Sequence, residues 1–202
     1  MGNFSRRQFL LSLSAVSGAG LLAACMNEED AQNAVSGEIG NDIYTPDGKL
    51  EHYIEPADRE EPLSFGGESL MEEGDQLQLS DFAGQIVVVN AWGQWCAPCR
   101  AEIDDLQQVH EELQSRNLGT LLGINVRDYN PQIARDFIED NGVTFPSIYD
   151  PPFKTAASLG GIPPSVIPST VILDEDHRQA AVFIRPIVAS ELLDVIDRLS
   201  EE

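Results

Sequence analysis

Lysine is nearly absent from this chain: only Lys49 and Lys154 occur among 202 residues, and 12 basic residues face 34 acidic ones for a formal charge of −22. A surface so short of cations repels phosphate backbones, which excludes nucleic-acid binding. It also excludes attachment to anionic lipid through a basic patch. Long apolar runs are lacking too. The longest, from Phe9 to Ala24, is about 16 residues, against the roughly 20 that a membrane-spanning helix needs. Cysteine is scarce, with only Cys25, Cys96 and Cys99. One pair without a second ligand pair excludes a structural zinc centre, and no metal is expected. His110, the one histidine near that pair in sequence, lies on the apolar side of a helical pattern and reads as a packed residue. What remains, 42% hydrophobic and 23% charged residues, is the composition of a soluble globular domain with appendages.

The first appendage is an address. Ser5-Arg6-Arg7-Gln8-Phe9-Leu10 precedes the apolar run, and no acidic residue occurs before Glu28. Residues 1–24 therefore read as an export signal. The paired arginines resemble a Tat signal, although Leu11 stands where a basic residue is usual, which leaves Sec export open. Leu22-Ala23-Ala24-Cys25 resembles a bacterial lipobox, in which cleavage leaves Cys25 as a lipidated N-terminus; the alternative is a plain signal that ends near a cysteine. Residues 25–61 are acidic, turn-rich and poor in large apolar side chains. They are read as a flexible tether, since they cannot bury enough surface to offset their ordering entropy. The alternative is that Ile43 to Ile54 packs on the domain as an irregular arm.

From residue 62 the pattern is regular. Leu63 to Leu70 and Gln76 to Leu79 read as a hairpin around Glu72-Glu73-Gly74-Asp75. Ile86 to Trp92 is a continuous buried strand, and Thr120 to Val126 a second. Glu102 to Gln114 and Pro131 to Glu139 are predicted helices, the latter capped by Asn130. Thr170 to Asp174 and Ala180 to Ile184 form an antiparallel pair. Ser190 to Leu199 closes the chain as a helix, with Ser190 a candidate cap. The expected class is α/β, a mixed central sheet covered on both faces and preceded by an N-terminal β-hairpin.

Trp92-Gly93-Gln94-Trp95-Cys96-Ala97-Pro98-Cys99-Arg100 falls where the first buried strand ends and a helix begins. A thiol there faces free backbone N–H groups and the positive end of the helix, which lowers its pKa and makes it a nucleophile. Two intervening residues bring the second thiol one turn on, within bridging distance. Cys96 is the expected exposed attacker and Cys99 the resolving thiol. Pro98 is tolerated because first-turn N–H groups have no intrahelical partner.

Val88-Val89-Asn90-Ala91-Trp92 running into Trp95-Cys96-Ala97-Pro98-Cys99-Arg100-Ala101-Glu102 resembles the TlpA/ResA/DsbE branch of the thioredoxin superfamily, over about residues 63–202. The resemblance implies a thioredoxin fold for residues 62–202. It also implies a redox-active Cys96–Cys99 disulfide as the sole reactive group, with no bound cofactor. Asn90 stands where thioredoxin has a buried aspartate. Glu102 matches the glutamate this branch keeps near the pair, a proton carrier for Cys99 or else a solvated helix carboxylate. Pro168, after Ile167, takes the place of the family's cis-proline, with Pro163 and Pro164 as rivals by residue type. Trp95, Pro98, Ile167 and Pro168 are then the substrate-facing residues. The glycine usual after Leu173-Asp174 is replaced by Glu175-Asp176-His177-Arg178, which puts that hairpin's shape in question.

The implied function is a lipid-anchored thiol–disulfide oxidoreductase on the outer face of the cytoplasmic membrane. Its partners are exported protein thiols, apocytochrome c among them, and a membrane thiol electron carrier; a monomer is expected. The branch most often reduces its clients, which makes cytochrome c biogenesis the leading role, and Ile167 before Pro168 resembles the reductant thioredoxin. A disulfide-forming oxidase and a non-redox apocytochrome- or haem-binding lipoprotein are the alternatives. Peroxidase-type antioxidant activity is not expected, because peroxiredoxins need Thr or Ser three residues before their reactive cysteine and Gly93 stands there.

Overall fold

The computed structural model describes residues 50–202. The export signal, the lipobox with Cys25 and the first two thirds of the tether lie outside the described residues.

The structure is an eight-stranded mixed sheet in the order β1-β8-β7-β4-β5-β6-β2-β3. Its centre is β4 (Ile86–Trp92), every residue of which is buried. A run of Ile and Val with no polar alternation suits a strand covered on both faces. β4 pairs in parallel with β5 (Gly119–Asn125), which pairs in parallel with β6 (Ser147–Tyr149). On its other side β4 runs antiparallel to β7 (Ser169–Leu173), itself antiparallel to β8 (Gln179–Phe183). The expected hairpin is present as β2 (Gly66–Ser69) and β3 (Gln76–Gln78), joined to the sheet through β6.

Alternation along β4 sends its side chains into two cores. Ile86, Val88 and Trp92 meet Leu106, Val109 and Leu113 of α2 (Ile103–Ser115), Ala134 and Ile138 of α3 (Pro131–Asp140), and Leu192 and Ile196 of α4 (Ala189–Ser200). Val87, Val89 and Ala91 meet Phe65, Leu79, Phe153, Ala156 and Leu159, so the second face is covered by turns and 3₁₀ segments rather than long helices. His110 is buried against Phe145, its ring 6.1 Å away, and its Nδ1 accepts the Leu121 N–H. Burial favours its neutral form and holds its pKa below the usual value. Asn130 caps α3 as expected, accepting the Gln132 N–H.

Several expectations need correction. The last dozen residues of the supposed tether belong to the fold. β1 (Glu51–Tyr53) pairs antiparallel with β8 as an edge strand. Beyond it, the Arg59 side chain is buried and bridges Asp174 and the final residue, Glu202, at 3.2 and 2.7 Å. The arm carries little apolar area; backbone pairing and a buried cation order it instead. Ser190 does not cap α4. That place belongs to Val188, whose N–H is taken by the Glu191 carboxylate at 3.0 Å. The expected helix from Glu102 is preceded by a short one, α1 (Ala97–Ala101), with Glu102 at the break. The hairpin without its glycine keeps a tight turn. His177 takes the left-handed conformation at φ 63°, and Asp174 Oδ1 accepts the N–H groups of Asp176 and Arg178.

Candidate active site

The end of β4 passes through Gly93–Trp95 into α1, and Cys96 is the N-cap of that helix. Cys96 and Cys99 form a disulfide, with Cα atoms 5.3 Å apart. Cys96 Sγ accepts the Cys99 N–H at 3.2 Å. After reduction, the same bond would favour a thiolate on Cys96 over a thiol.

Cys96 is not exposed as expected: its relative exposure is 3%, beside 2% for Cys99. Its sulfur turns back onto its own helix and lies 3.9 Å from the Ile167 carbonyl oxygen. The exposed groups are the flanking residues Trp95, Ala97 and Pro98. Ile167 precedes a cis peptide bond to Pro168, which places Pro168 rather than Pro163 or Pro164 beside the pair.

Glu102 is 2% exposed, so it is not a solvated helix carboxylate. Its Oε1 accepts from Asn90 Nδ2 at 3.1 Å and its Oε2 from the Ile187 N–H at 3.1 Å. Asn90 Nδ2 also reaches Thr170 Oγ1 at 3.0 Å, while its own Oδ1 has no partner. Desolvation pushes the Glu102 pKa up to about 7; the two hydrogen bonds oppose that shift without cancelling it. A carboxyl group poised near neutrality one helical turn from Cys99 can both take up and release a proton under ordinary conditions.

The loop ahead of Cys96 is fastened to the end of β5. Val126 N–H donates to Trp92 O, Gln94 N–H to Asp128 Oδ2, and Trp95 Nε1–H to Val126 O, all within 2.9 Å. Asp128 is itself buried and also accepts from Asn125 Nδ2 at 2.8 Å. These bonds account for Gly93. A Cβ there would stand 2.3 Å from Trp95 Nε1 and 2.8 Å from Val126 O, so any side chain would displace the indole. Arg127 places its guanidinium 5.4 Å from the Trp95 ring centroid.

Asn125, Val126, Arg127 and Asp128 carry no motif and were not singled out from the sequence. One signal could have found them. They follow a strand parallel to β4, and in such sheets sites gather beyond the carboxyl ends of adjacent strands.

A family model described as AhpC/TSA matches residues 64–179. The chain is 29% identical over 106 residues to the thiol–disulfide oxidoreductase ResA of Geobacillus thermodenitrificans, covering 52% of this chain and 58% of that one. It thus spans about three fifths of the length of the curated relatives it first matches. Among solved structures, a secreted thiol–disulfide isomerase of Corynebacterium glutamicum is 60% identical, with a TM-score of 0.76 over 79% of this chain and 96% of that one. A DsbF homologue of Corynebacterium diphtheriae is 54% identical, with a TM-score of 0.73 over 77% and 96%.

Proposed function

This chain belongs to the AhpC/TSA family of thioredoxin-fold proteins, in its ResA-like thiol–disulfide oxidoreductase branch, and from that premise we propose that it exchanges disulfides with exported proteins, starting from its own dithiol form. The observation that carries this reading is the placement of Cys96. It caps a helix, its sulfur accepts the Cys99 N–H, and the carbonyl before cis-Pro168 lies beside it.

The Cys96 thiolate attacks one sulfur of a client disulfide. A Cys96–client bond forms, and the client's second sulfur leaves as a thiolate. Cys99 then gives up its proton, with Glu102 as the acceptor at hand, and attacks Cys96. The internal disulfide closes and the client leaves as a dithiol, having gained two electrons. If the client's own thiol attacks first, the same intermediate yields a rearranged client disulfide. The name of the isomerase from C. glutamicum supports a start from the reduced pair. The Ile167 carbonyl lies 3.9 Å from the Cys96 sulfur, and with Trp95 and Pro98, which flank the pair in the chain, and Pro168 it would hold an extended client segment.

The setting follows from the leader: Cys25 carries lipid, the domain stands on the outer face of the cytoplasmic membrane, and a membrane thiol carrier returns it to the dithiol form. No bound cofactor takes part. Apocytochrome c fits as a client because its haem-binding cysteines must be reduced after export.

The test is the reduction potential of Cys96–Cys99 in a thiol redox buffer, followed by tryptophan fluorescence. A value at or below about −230 mV supports the reductive direction. A value near about −120 mV reverses it to disulfide formation. A pair that does not cycle overturns the redox reading.

A further inference from the structure

Anionic by a wide margin, the chain pairs four of its eight described arginines with carboxylates and leaves two unpaired ones beside the redox pair. Arg59 pairs with Asp174 and Glu202, Arg116 with Asp197, Arg178 with Asp174 and Asp176, and Arg185 with Glu51 and Glu191. Among the described residues, four arginines form no ion pair: Arg135 donates to Leu70 O and Arg198 lies over the Tyr53 ring, both away from the sulfurs, while Arg100 and Arg127 stand beside the redox pair. The latter two are fastened to the two residues immediately before Cys96. Arg100 Nη1 donates to Gln94 O at 2.8 Å, and the Arg127 guanidinium lies over the Trp95 ring. Arg127 also donates to Pro164 O, in the segment leading to cis-Pro168, and so bridges the two loops that border Cys96. Carbonyl oxygens and a ring face hold these guanidinium groups in place but leave their charge uncompensated. The nearby acids do not supply the missing charge. Asp128 is buried on Gln94 N and Asn125 Nδ2, and Glu102 lies inside on Asn90 and Ile187.

Arg127 is held against its backbone preference. Its φ is 58°, in the left-handed region where glycine is at ease and an arginine is not. Its backbone N–H is taken by Pro151 O at 3.0 Å, so the conformation is fixed from the other side of the loop. Glycine would meet the backbone need at lower cost; only the guanidinium explains an arginine at this position.

We propose that Arg100 and Arg127 form a cationic subsite beside Cys96, which selects client segments carrying Asp or Glu next to the reacting cysteine. This inference rests on the exchange activity proposed above and adds to it a rule of client choice. The planar guanidinium fork suits a carboxylate bidentately. The chain as a whole is strongly anionic, so near the sulfur a client's acidic residue finds its favourable place at these two guanidinium groups, and binding there sets the segment's register.

The test uses the full chain in its dithiol form. Two peptides, each closed by one disulfide, differ only in having Glu or Lys on both sides of the first cysteine. Single-turnover rate constants are read from tryptophan fluorescence. The Glu peptide is expected to react roughly tenfold faster at about 20 mM salt, with the ratio falling toward unity at about 1 M, where screening acts within about 3 Å. Arg100→Gln with Arg127→Gln should bring the ratio near unity at low salt. Arg127→Lys, which keeps the charge, should retain most of it, and Arg116→Gln should leave it intact. Equal rates in the unaltered protein, a preference for Lys, or a ratio that survives loss of both arginines overturns the subsite while leaving the exchange activity standing. Reaction with neither peptide overturns the exchange activity as well.

Discussion

Glu102 combines chain proximity to Cys99 with burial by distant groups. The nearness is local, three positions along the chain. The burial is not: Asn90 stands 12 residues before it and Ile187 85 after. Glu102→Gln retains the shape but keeps one acceptor oxygen where the carboxylate uses two, and it holds no acid proton to transfer. Resolution of the mixed disulfide should slow by roughly 100-fold, the usual size of a lost general acid–base group. The rate inflection near pH 7 should vanish with it, while attack by Cys96 on a small disulfide changes far less. Rapid-mixing kinetics from pH 5 to 9 separate the two steps. Residues whose chemistry is written in adjacent letters, Cys96, Cys99 and the Ile167–Pro168 pair, were legible in the sequence. Asp128, Arg127 and the interior position of Glu102 were not, because each depends on a contact made only once β4, β5 and β7 lie side by side.

Elements with a sustained pattern were equally legible. β4 has the bounds that its Ile-Val run indicates, and α2, α3 and α4 follow their apolar spacing. The elements missed are the short ones. β6 has three residues, too few to show a period, and the break at Glu102 has no Gly or Pro to announce it. β1 was hidden for a different reason: an edge strand draws on a neighbour's unpaired backbone, and no hydrophobic measure registers that. The clasp at Arg59 can be tested. Arg59→Ala leaves Asp174 with Arg178 alone and leaves Glu202, partly solvated, without its guanidinium. Complete loss of a partner inside a protein costs about 3–5 kcal/mol; here the remaining contacts and solvent reduce the expected loss to about 2 kcal/mol. Denaturant midpoints would measure it, and exchange with a small disulfide should stay within about twofold, since Arg59 touches nothing at the redox pair.

At the scale of the whole molecule, acidity shapes stability as well as client choice. Glu102 titrates near 7 when folded and near 4.5 when unfolded. Between those values the folded state holds the extra proton, so stability falls as pH rises from about 4.5 to about 7, by at most roughly 3 kcal/mol. Below that window the trend reverses. Glu191 and Glu202, held below the ordinary carboxylate range by hydrogen bonds from Arg185 and Arg59, must then be protonated. Glu102 carries the larger shift, so unfolding free energy should peak on the acid side of neutrality, with His110, kept neutral by burial, reducing the gain as pH falls. In Glu102→Gln the descent toward pH 7 should flatten. Urea titrations at pH 5 and 7.5 would show either result.

The clasp at Arg59 also has a mechanical meaning. A pull arriving through the chain ahead of Leu50 loads β1 at its first residue. The strand lies on the rim of the sheet, held on one side only, so its ladder to β8 would open rung by rung, like a zipper, from Glu51 toward Tyr53. The unzipping would stop at Arg59, riveted to the hairpin turn by Asp174 and to the last residue of the chain by Glu202. Tension would thus be passed to the β7–β8 turn, which lies beside the start of β4, the opposite end of that strand from the sulfurs.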